Sequence, residues 1–492
     1  MSYLNNLKEA NNYKLTTNGA TTHASTLNGL MDLFALGGAY RSRSDDDCIT
    51  LFKKAFEEDE SYAMKCLFYN RDIRGGQGER RFFRVILKWL ANNHSDAVLR
   101  NMKYIPLVGR WDDLYALDGT PLENMAYDFM KNQFLLDLIC KTPSLLAKWL
   151  KSENASSKES RRLARKTIEM FGISPKMYRK TLTTLRERIN VLERLMSEGR
   201  WDEIEFDKIP SRAGIIYRNA FARNDMTKAR YEAFIKSKET KVNARTLYPV
   251  DVAHRAFRAS RLPYDDPERL ALQKYWENLP NYYGEREENG IAIVDVSGSM
   301  TGTPMEAAVS LGAYIAEKAH GPFANHFITF SARPELVEFN GVDITDKLNR
   351  CASADWGANT NLEAVFDMLL NVALANKTPQ KDMPTRLYIF SDMEFDAALR
   401  EYHGFWDRTP ANLNIDTLVE GIAKKWAAHG YKMPDIVFWN LDARQDNIPA
   451  IGEGFSYVSG FSPVMIEQVL SGKTGLELVM EKLNSERYKD IH

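Results

Sequence analysis

The sequence predicts an α+β chain in two parts, an all-α helical-repeat (HEAT-like) N-terminal module followed by a C-terminal α/β doubly wound sheet domain. Three observations carry this. Up to about residue 285, apolar residues recur at three-and-four spacing and few stretches alternate as strands do. From Gly290 onward short apolar runs alternate with helical patterns, the signature of a doubly wound sheet. The charge also divides there: residues from Gly290 on carry 17 Lys and Arg against 27 Asp and Glu, whereas residues 1–289 carry 48 against 39. At 492 residues the chain is long enough for more than one core.

In chain order, residues 1–25 are rich in Asn and Thr and are expected to form a flexible arm. The helical module is expected over 26–285. Within it 46–57, 61–70, 80–93, 123–139 and 143–152 read as helices joined by short turns. Short amphipathic helices cannot bury a face alone, so stacked helix pairs are the economical arrangement, although no fixed-period repeat is evident. Residues 286–492 form the sheet domain, with strands expected at 291–296, 325–331, 335–339, 386–391, 434–441 and 455–459. Helices are expected at 304–319, 361–375, 414–428, 463–471 and 474–487.

Two basic stretches stand out in the helical module. In RDIRGGQGERRFFR, Gly75, Gly76 and Gly78 are surrounded by Arg71, Arg74, Arg80, Arg81 and Arg84. Glycine amides at a helix start flanked by arginine suit a phosphate cradle, and they equally suit a tight turn between helices. The stretch 158–194 holds 11 basic against 4 acidic residues, among them Arg161, Arg162, Arg165, Lys166, Arg179 and Lys180. Its apolar positions Leu182, Leu185, Ile189, Leu192 and Leu195 share one helical face, so the charges line the other. A basic stripe of this kind is the footprint of a nucleic-acid binder that reads backbone and shape, or else a solvated helix face. In GRWDDL, Asp112 or Asp113 is expected near a helix start and Trp111 as a packing anchor.

The sheet domain opens on GIAIVDVSGSM. Asp295, Ser297 and Ser299 follow an apolar strand at spacings of two, so their oxygens converge in the loop that leaves it. Thr360 lies in a Gly-containing loop and Asp392 closes the later strand LYIFSD. Hard oxygens of this kind suit Mg2+. The set resembles the metal-ion-dependent adhesion site of a von Willebrand factor A domain, matched at Asp295, Ser297, Ser299, Thr360 and Asp392. The resemblance implies Mg2+ or Mn2+ ligated by Ser297, Ser299 and Thr360, with Asp295 and Asp392 holding waters. It also implies one open position for an acidic protein partner. Glu394 and Asp396 follow Asp392 and either tune the site or are plain loop carboxylates.

A helical-repeat half followed by such a domain resembles the Ro autoantigen family with its TROVE module. The phrases IRGGQGER, GRWDDL, IPSRA and SDMEFD are similar to those of a related uncharacterised family over nearly the whole chain. The Ro likeness implies a ring of helical repeats that binds noncoding or misfolded RNA on a basic surface. The expected function is therefore an RNA-binding scaffold with a Mg2+-bearing domain, the alternative being capture of a partner's acidic residue at the metal.

Catalysis finds little support. There is no HExxH, the eight histidines show no metal or triad spacing, and Gly472-Lys473-Thr474 has Glu467 where a phosphate loop needs its first glycine. The chain is expected to be a binding protein and not an enzyme. The N-terminus has no apolar leader and no run of about 18 apolar residues occurs, so a soluble, cytoplasmic protein is expected. Cys48, Cys66, Cys140 and Cys351 lie far apart without a CxxC pair, as reduced, buried thiols would.

Overall fold

The computed structural model describes residues 11–284, 288–330, 333–352, 361–396 and 417–492. Two strands, β1 (Tyr13–Leu15) and β2 (Thr21–His23), form an antiparallel hairpin. Six more build the main sheet: β3 (Gly290–Asp295), β4 (His326–Phe330), β5 (Leu336–Glu338), β6 (Arg386–Ser391), β7 (Asp435–Asn440) and β8 (Phe455–Ser459). Their order is β5-β4-β3-β6-β7-β8. Every pairing is parallel except that of β5 with β4, so the chain is an α+β protein with a mixed sheet.

The apolar runs read as strands because parallel strands are covered on both faces. All six residues of β3 are buried. The helix Thr303–Lys318 lies against it, and Gly312 makes that approach possible: a Cβ there would sit 2.4 Å from Val294 Cγ2. β3 is flanked by β4 on one side and β6 on the other. The chain leaving β3 returns as β4, whereas the chain leaving β6 returns as β7 on the opposite side. A crevice therefore opens at the carboxyl ends of β3 and β6, where open sheets place ligands.

In the helical part Asp45–Glu58, Glu60–Arg71, Arg80–Asn93 and Glu123–Ile139 form where expected, each to within a residue. The helix expected at 143–152 is reduced to one turn, Leu146–Trp149. Asp137 causes this by accepting from the Ser144 amide at 2.9 Å and hydroxyl at 2.7 Å, which commits the preceding residues to a local turn. The helix expected at 463–471 breaks into a 3-10 turn, Pro463–Met465, and the turn Ile466–Val469, while the last helix ends at Leu483. Cys140 is exposed, against expectation, and the other three cysteines are buried.

From Asn11 on, the expected flexible arm is instead the β1–β2 hairpin bound to the sheet part. Its Asn and Thr side chains, which suggested disorder, make the bonds. Thr16 Oγ1 donates to the Phe395 carbonyl at 2.6 Å, Asn18 Nδ2 to the Glu394 carbonyl at 2.6 Å, and Thr22 Oγ1 to the Ile448 carbonyl at 2.9 Å. Other segments also cross between the two parts. Gly38, in the turn after the helix Gly29–Leu36, donates its amide to Ser459 Oγ at the end of β8 at 3.0 Å. In the opposite direction Arg487 Nη2 donates to Asp72 Oδ1 at 2.7 Å and the Tyr488 hydroxyl to Asp72 Oδ2 at 2.9 Å. Among the described residues no helix is long and apolar enough to cross a membrane.

Candidate metal centre and the basic groove

Asp295 ends β3 and is fully buried. Its Oδ1 accepts from the Ser297 amide at 2.9 Å and its Oδ2 from the Ser391 hydroxyl, at the end of β6, at 2.6 Å. The loop then coils into a 3-10 turn, Gly298–Met300, which brings Ser299 Oγ to 2.9 Å from Ser297 Oγ. Asp392 follows β6 directly and is also fully buried. Its Oδ1 accepts from the Glu394 amide at 3.1 Å, while Oδ2 is buried without a hydrogen bond. Met393, next in the chain, has φ of 63°, a left-handed conformation uncommon for a long side chain, and its carbonyl is held by Asn447 Nδ2 at 3.2 Å.

The electrostatics agree with this geometry. Burial, and then the charge of Asp392, push the Asp295 carboxyl up to about 7, with hydrogen bonds from Ser391 and Ser297 opposing the shift. Burial raises Asp392 as well, against the Ser299 hydroxyl and the Arg444 guanidinium. Two buried carboxylates and two hydroxyls thus meet at the carboxyl ends of β3 and β6. Such a donor set, all hard oxygen with one orphaned carboxylate atom, fits a divalent cation of the Mg2+ type. Four of the five expected residues come together here, and the fifth, Thr360, lies outside the described residues. Among the described residues no group of three or more His, Cys, Asp or Glu offers an alternative metal cage.

Of the two carboxylates left open by the sequence, Glu394 turns to the hairpin, where Oε2 accepts from the Thr17 amide at 2.7 Å, and Asp396 lies opposite Gly19 in a β-bridge. Sequence reasoning missed Arg444. It sits in LDARQD with no motif around it, yet its Nη2 donates to the Ser299 carbonyl.

The basic residues proposed for RNA divide into several groups. Arg71 is buried, 3% exposed, with Nε at 2.8 Å and Nη2 at 2.7 Å from Asp113 Oδ2, so it does not face a ligand as expected. Asp113 draws it inward, and Asp112 and Asp113 hold Arg84 at 3.0 and 2.7 Å. Arg81 pairs with Asp45, Arg162 with Asp118 at 2.6 Å and Glu159 at 2.7 Å, Lys166 with Asp118 at 3.1 Å, and Arg179 with Glu153 at 2.7 Å. Arg161 donates to the carbonyls of Ala155 and Ser156, each at 2.7 Å. Among the described residues the side chains of Arg74, Arg80, Arg165 and Lys180 make no ion pair.

The glycine-rich stretch is a tight turn and not an amide cradle. The amides of Gln77, Gly78 and Glu79 donate to the carbonyls of Tyr69, Asp72 and Asn70 at 3.1, 3.0 and 2.7 Å. A Cβ at Gly76 would fall 1.8 Å from the Tyr69 carbonyl oxygen. Trp111 is buried and stacks on Phe129 with ring centroids 5.4 Å apart, the packing anchor expected of it.

Arg80, Arg81, Arg84 and Arg162 nevertheless converge on one open groove of about 1130 Å3, joined there by Arg41 and Lys88. Five carboxylates line it too, so its charge is nearly balanced. Desolvation on the groove wall and the neighbouring Arg84 lower the pKa of Arg80, which, like Lys88, makes no ion pair among the described residues.

A family described as "Domain of unknown function (DUF7788)" matches residues 289–491, which span the whole main sheet and its helices. An uncharacterised protein of Acanthamoeba polyphaga mimivirus, L728, is 28% identical over 507 residues, covering 94% of this chain and 85% of its own length. A second family, described as "Domain of unknown function (DUF2828)", matches residues 16–117 and 130–282, more than half of the chain. These segments run from the hairpin through the helices that carry the basic groove, and the chain belongs to the DUF2828 family.

Proposed function

We propose that the protein is a divalent-cation-dependent binding module whose sheet part is a von Willebrand factor A-type domain. Asp295, Ser297, Ser299 and Asp392, with Thr360, hold Mg2+ or Mn2+, and an open coordination position captures an acidic residue of a protein partner. The observation that carries this is Asp392 Oδ2, a buried carboxylate oxygen with no hydrogen bond beside a second buried carboxylate. Burying such a group unpaired is costly, and a bound cation removes that cost. The bound ion would supply Lewis-acid attraction for a ligand oxygen, and the chain's own residues would fix where that oxygen sits. The reading is of a binding protein and not of an enzyme.

The test is titration of EDTA-stripped protein with Mn2+, followed by electron paramagnetic resonance. One equivalent should bind and be displaced by Mg2+, and Asp392→Asn should lose it. Absence of binding by the unaltered protein at millimolar Mn2+ would refute the proposal.

A second reading, an RNA-binding scaffold with a HEAT-like helical part of the Ro and TROVE type, is favoured by the convergence of Arg80, Arg81, Arg84 and Arg162 on one groove. Phosphate neutralisation there predicts affinity that falls steeply with salt. Arg80→Glu with Lys88→Glu should weaken retention of single-stranded RNA on filters at 50 mM salt. Unchanged retention would remove the groove from consideration.

A further inference from the structure

The loop that follows β7 is fastened at nearly every residue. The Leu441 amide donates to the Ser391 carbonyl at 3.0 Å, and the Ala443 amide to the Ala39 carbonyl at 3.1 Å. Ser42 Oγ donates to Asp442 Oδ1 at 3.0 Å, Arg43 Nη1 to the Arg444 carbonyl, and the Tyr40 hydroxyl to the Asp446 carboxylate. Gln445 Nε2 reaches Thr17 Oγ1 at 3.2 Å, and the Ile448 amide donates to the His23 carbonyl at 3.0 Å. Residues of the helical part and of the N-terminal hairpin thus hold a loop of the sheet part in one place. The side chain of Arg444 remains 46% exposed.

That side chain lies at the candidate metal centre. Its Nη2 donates to the carbonyl of Ser299, whose hydroxyl belongs to the metal set, and its Nε lies 3.3 Å from Asp442 Oδ2. Nη1 has no partner among the described residues. A guanidinium beside a cation site weakens cation binding by repulsion unless an anion lies between the two positive centres. A carboxylate does this with its two oxygens, one for each centre, and the planar fork of arginine matches that shape.

We infer that Arg444 is the second binding group of the metal centre, a specificity-determining residue that selects a carboxylate of an acidic protein segment over a neutral oxygen ligand. The inference rests on the metal reading above. The helical part then contributes to recognition without touching the ligand, because Ala39, Tyr40, Ser42 and Arg43 set the position of Arg444.

The test uses the full chain loaded with Mn2+ and reads water-proton relaxation, which drops when a ligand oxygen displaces water from the ion. The probes are acetyl-Gly-Asp-Gly-amide, its Asn counterpart and inorganic phosphate. The Asp peptide should quench the enhancement and the Asn peptide should not. Arg444→Gln should take Mn2+ at least as tightly, a neighbouring positive charge having been removed, yet bind the Asp peptide about tenfold more weakly, the loss expected for one charge-assisted hydrogen bond. Arg444→Lys should fall between. Equal peptide affinity in Arg444→Gln, loss of Mn2+ binding by that variant, equal response to the Asn peptide, or a response to phosphate alone would each overturn the inference. Failure of the unaltered protein to take Mn2+ would refute the metal reading itself, and the inference with it.

Discussion

Around Asp113 each buried carboxylate oxygen meets a guanidinium: Oδ2 takes Arg71 Nε at 2.8 Å and Oδ1 takes Arg84 Nε at 2.7 Å. At the ends of β3 and β6 the two carboxylates, equally buried, receive only serine hydroxyls and amides, and one oxygen of Asp392 receives nothing. The same residue type, at the same depth, is completed in the helical part and left incomplete in the sheet part. A network closed on itself fixes architecture, whereas an open one is suited to an ion from outside. The same criterion ranks the arginines. Arg71 and Arg84 belong to the fold, and Arg80, exposed on the groove without an acidic partner, is available to a ligand.

The contrast can be broken by removing one member on each side. Asp113→Ala strands the buried Arg71 and should cost about 3 to 5 kcal/mol in urea unfolding, the range for a broken buried pair. Little or no loss would mean that the closed network is not structural. Lys482 sharpens the contrast from the cationic side, being buried where Asp72 is already taken by Arg487 and Tyr488. Burial pulls its pKa down to about 8, with Asp72 and Glu467 opposing. The unfolded chain therefore holds this proton more tightly than the folded one, and stability should rise between pH 8 and about 10.5. Lys482→Met should be more stable at pH 7 by up to about 3 kcal/mol and lack that rise, checked by unfolding midpoints across pH.

Smaller effects are expected at the open network. Mg2+ at a hundred times its dissociation constant should stabilise the protein by about 2.7 kcal/mol. In metal-free protein Asp392→Asn should be neutral or stabilising by about 1 kcal/mol, because it removes a buried charge that its neighbours satisfy only in part, and it should abolish the Mg2+ effect. A destabilised, still Mg2+-responsive variant would place the ion elsewhere. Arg80→Ala should change stability by less than about 0.5 kcal/mol, as suits an exposed residue without a partner. A larger loss would return Arg80 to the structural set.

The sheet was legible because its strands are buried on both faces and read as apolar runs ending in polar residues, as GIAIVD and LYIFSD do. The same punctuation marked Asp295, Ser297, Ser299 and Asp392. The basic stretches were legible as charge and not as availability, since a count cannot tell that the partner of Arg71 lies 42 residues away. The N-terminal residues read as loose because Asn and Thr favour turns, but their bonds go to residues more than 370 positions along the chain. Arg444 carried no local signal, because its position is set by Arg43 and Ser42 from about 400 residues earlier.

The contact of Asp72 with Tyr488, 416 residues later, has a consequence for biosynthesis. At about 5 to 20 residues per second, a ribosome needs roughly 20 to 80 s to travel between the two. Throughout that interval the glycine-rich turn stands beside an acidic side chain that lacks its lid. The helices around Asp72 therefore wait, incomplete, for a segment made much later, and in that interval a chaperone would have the most reason to attend the nascent chain.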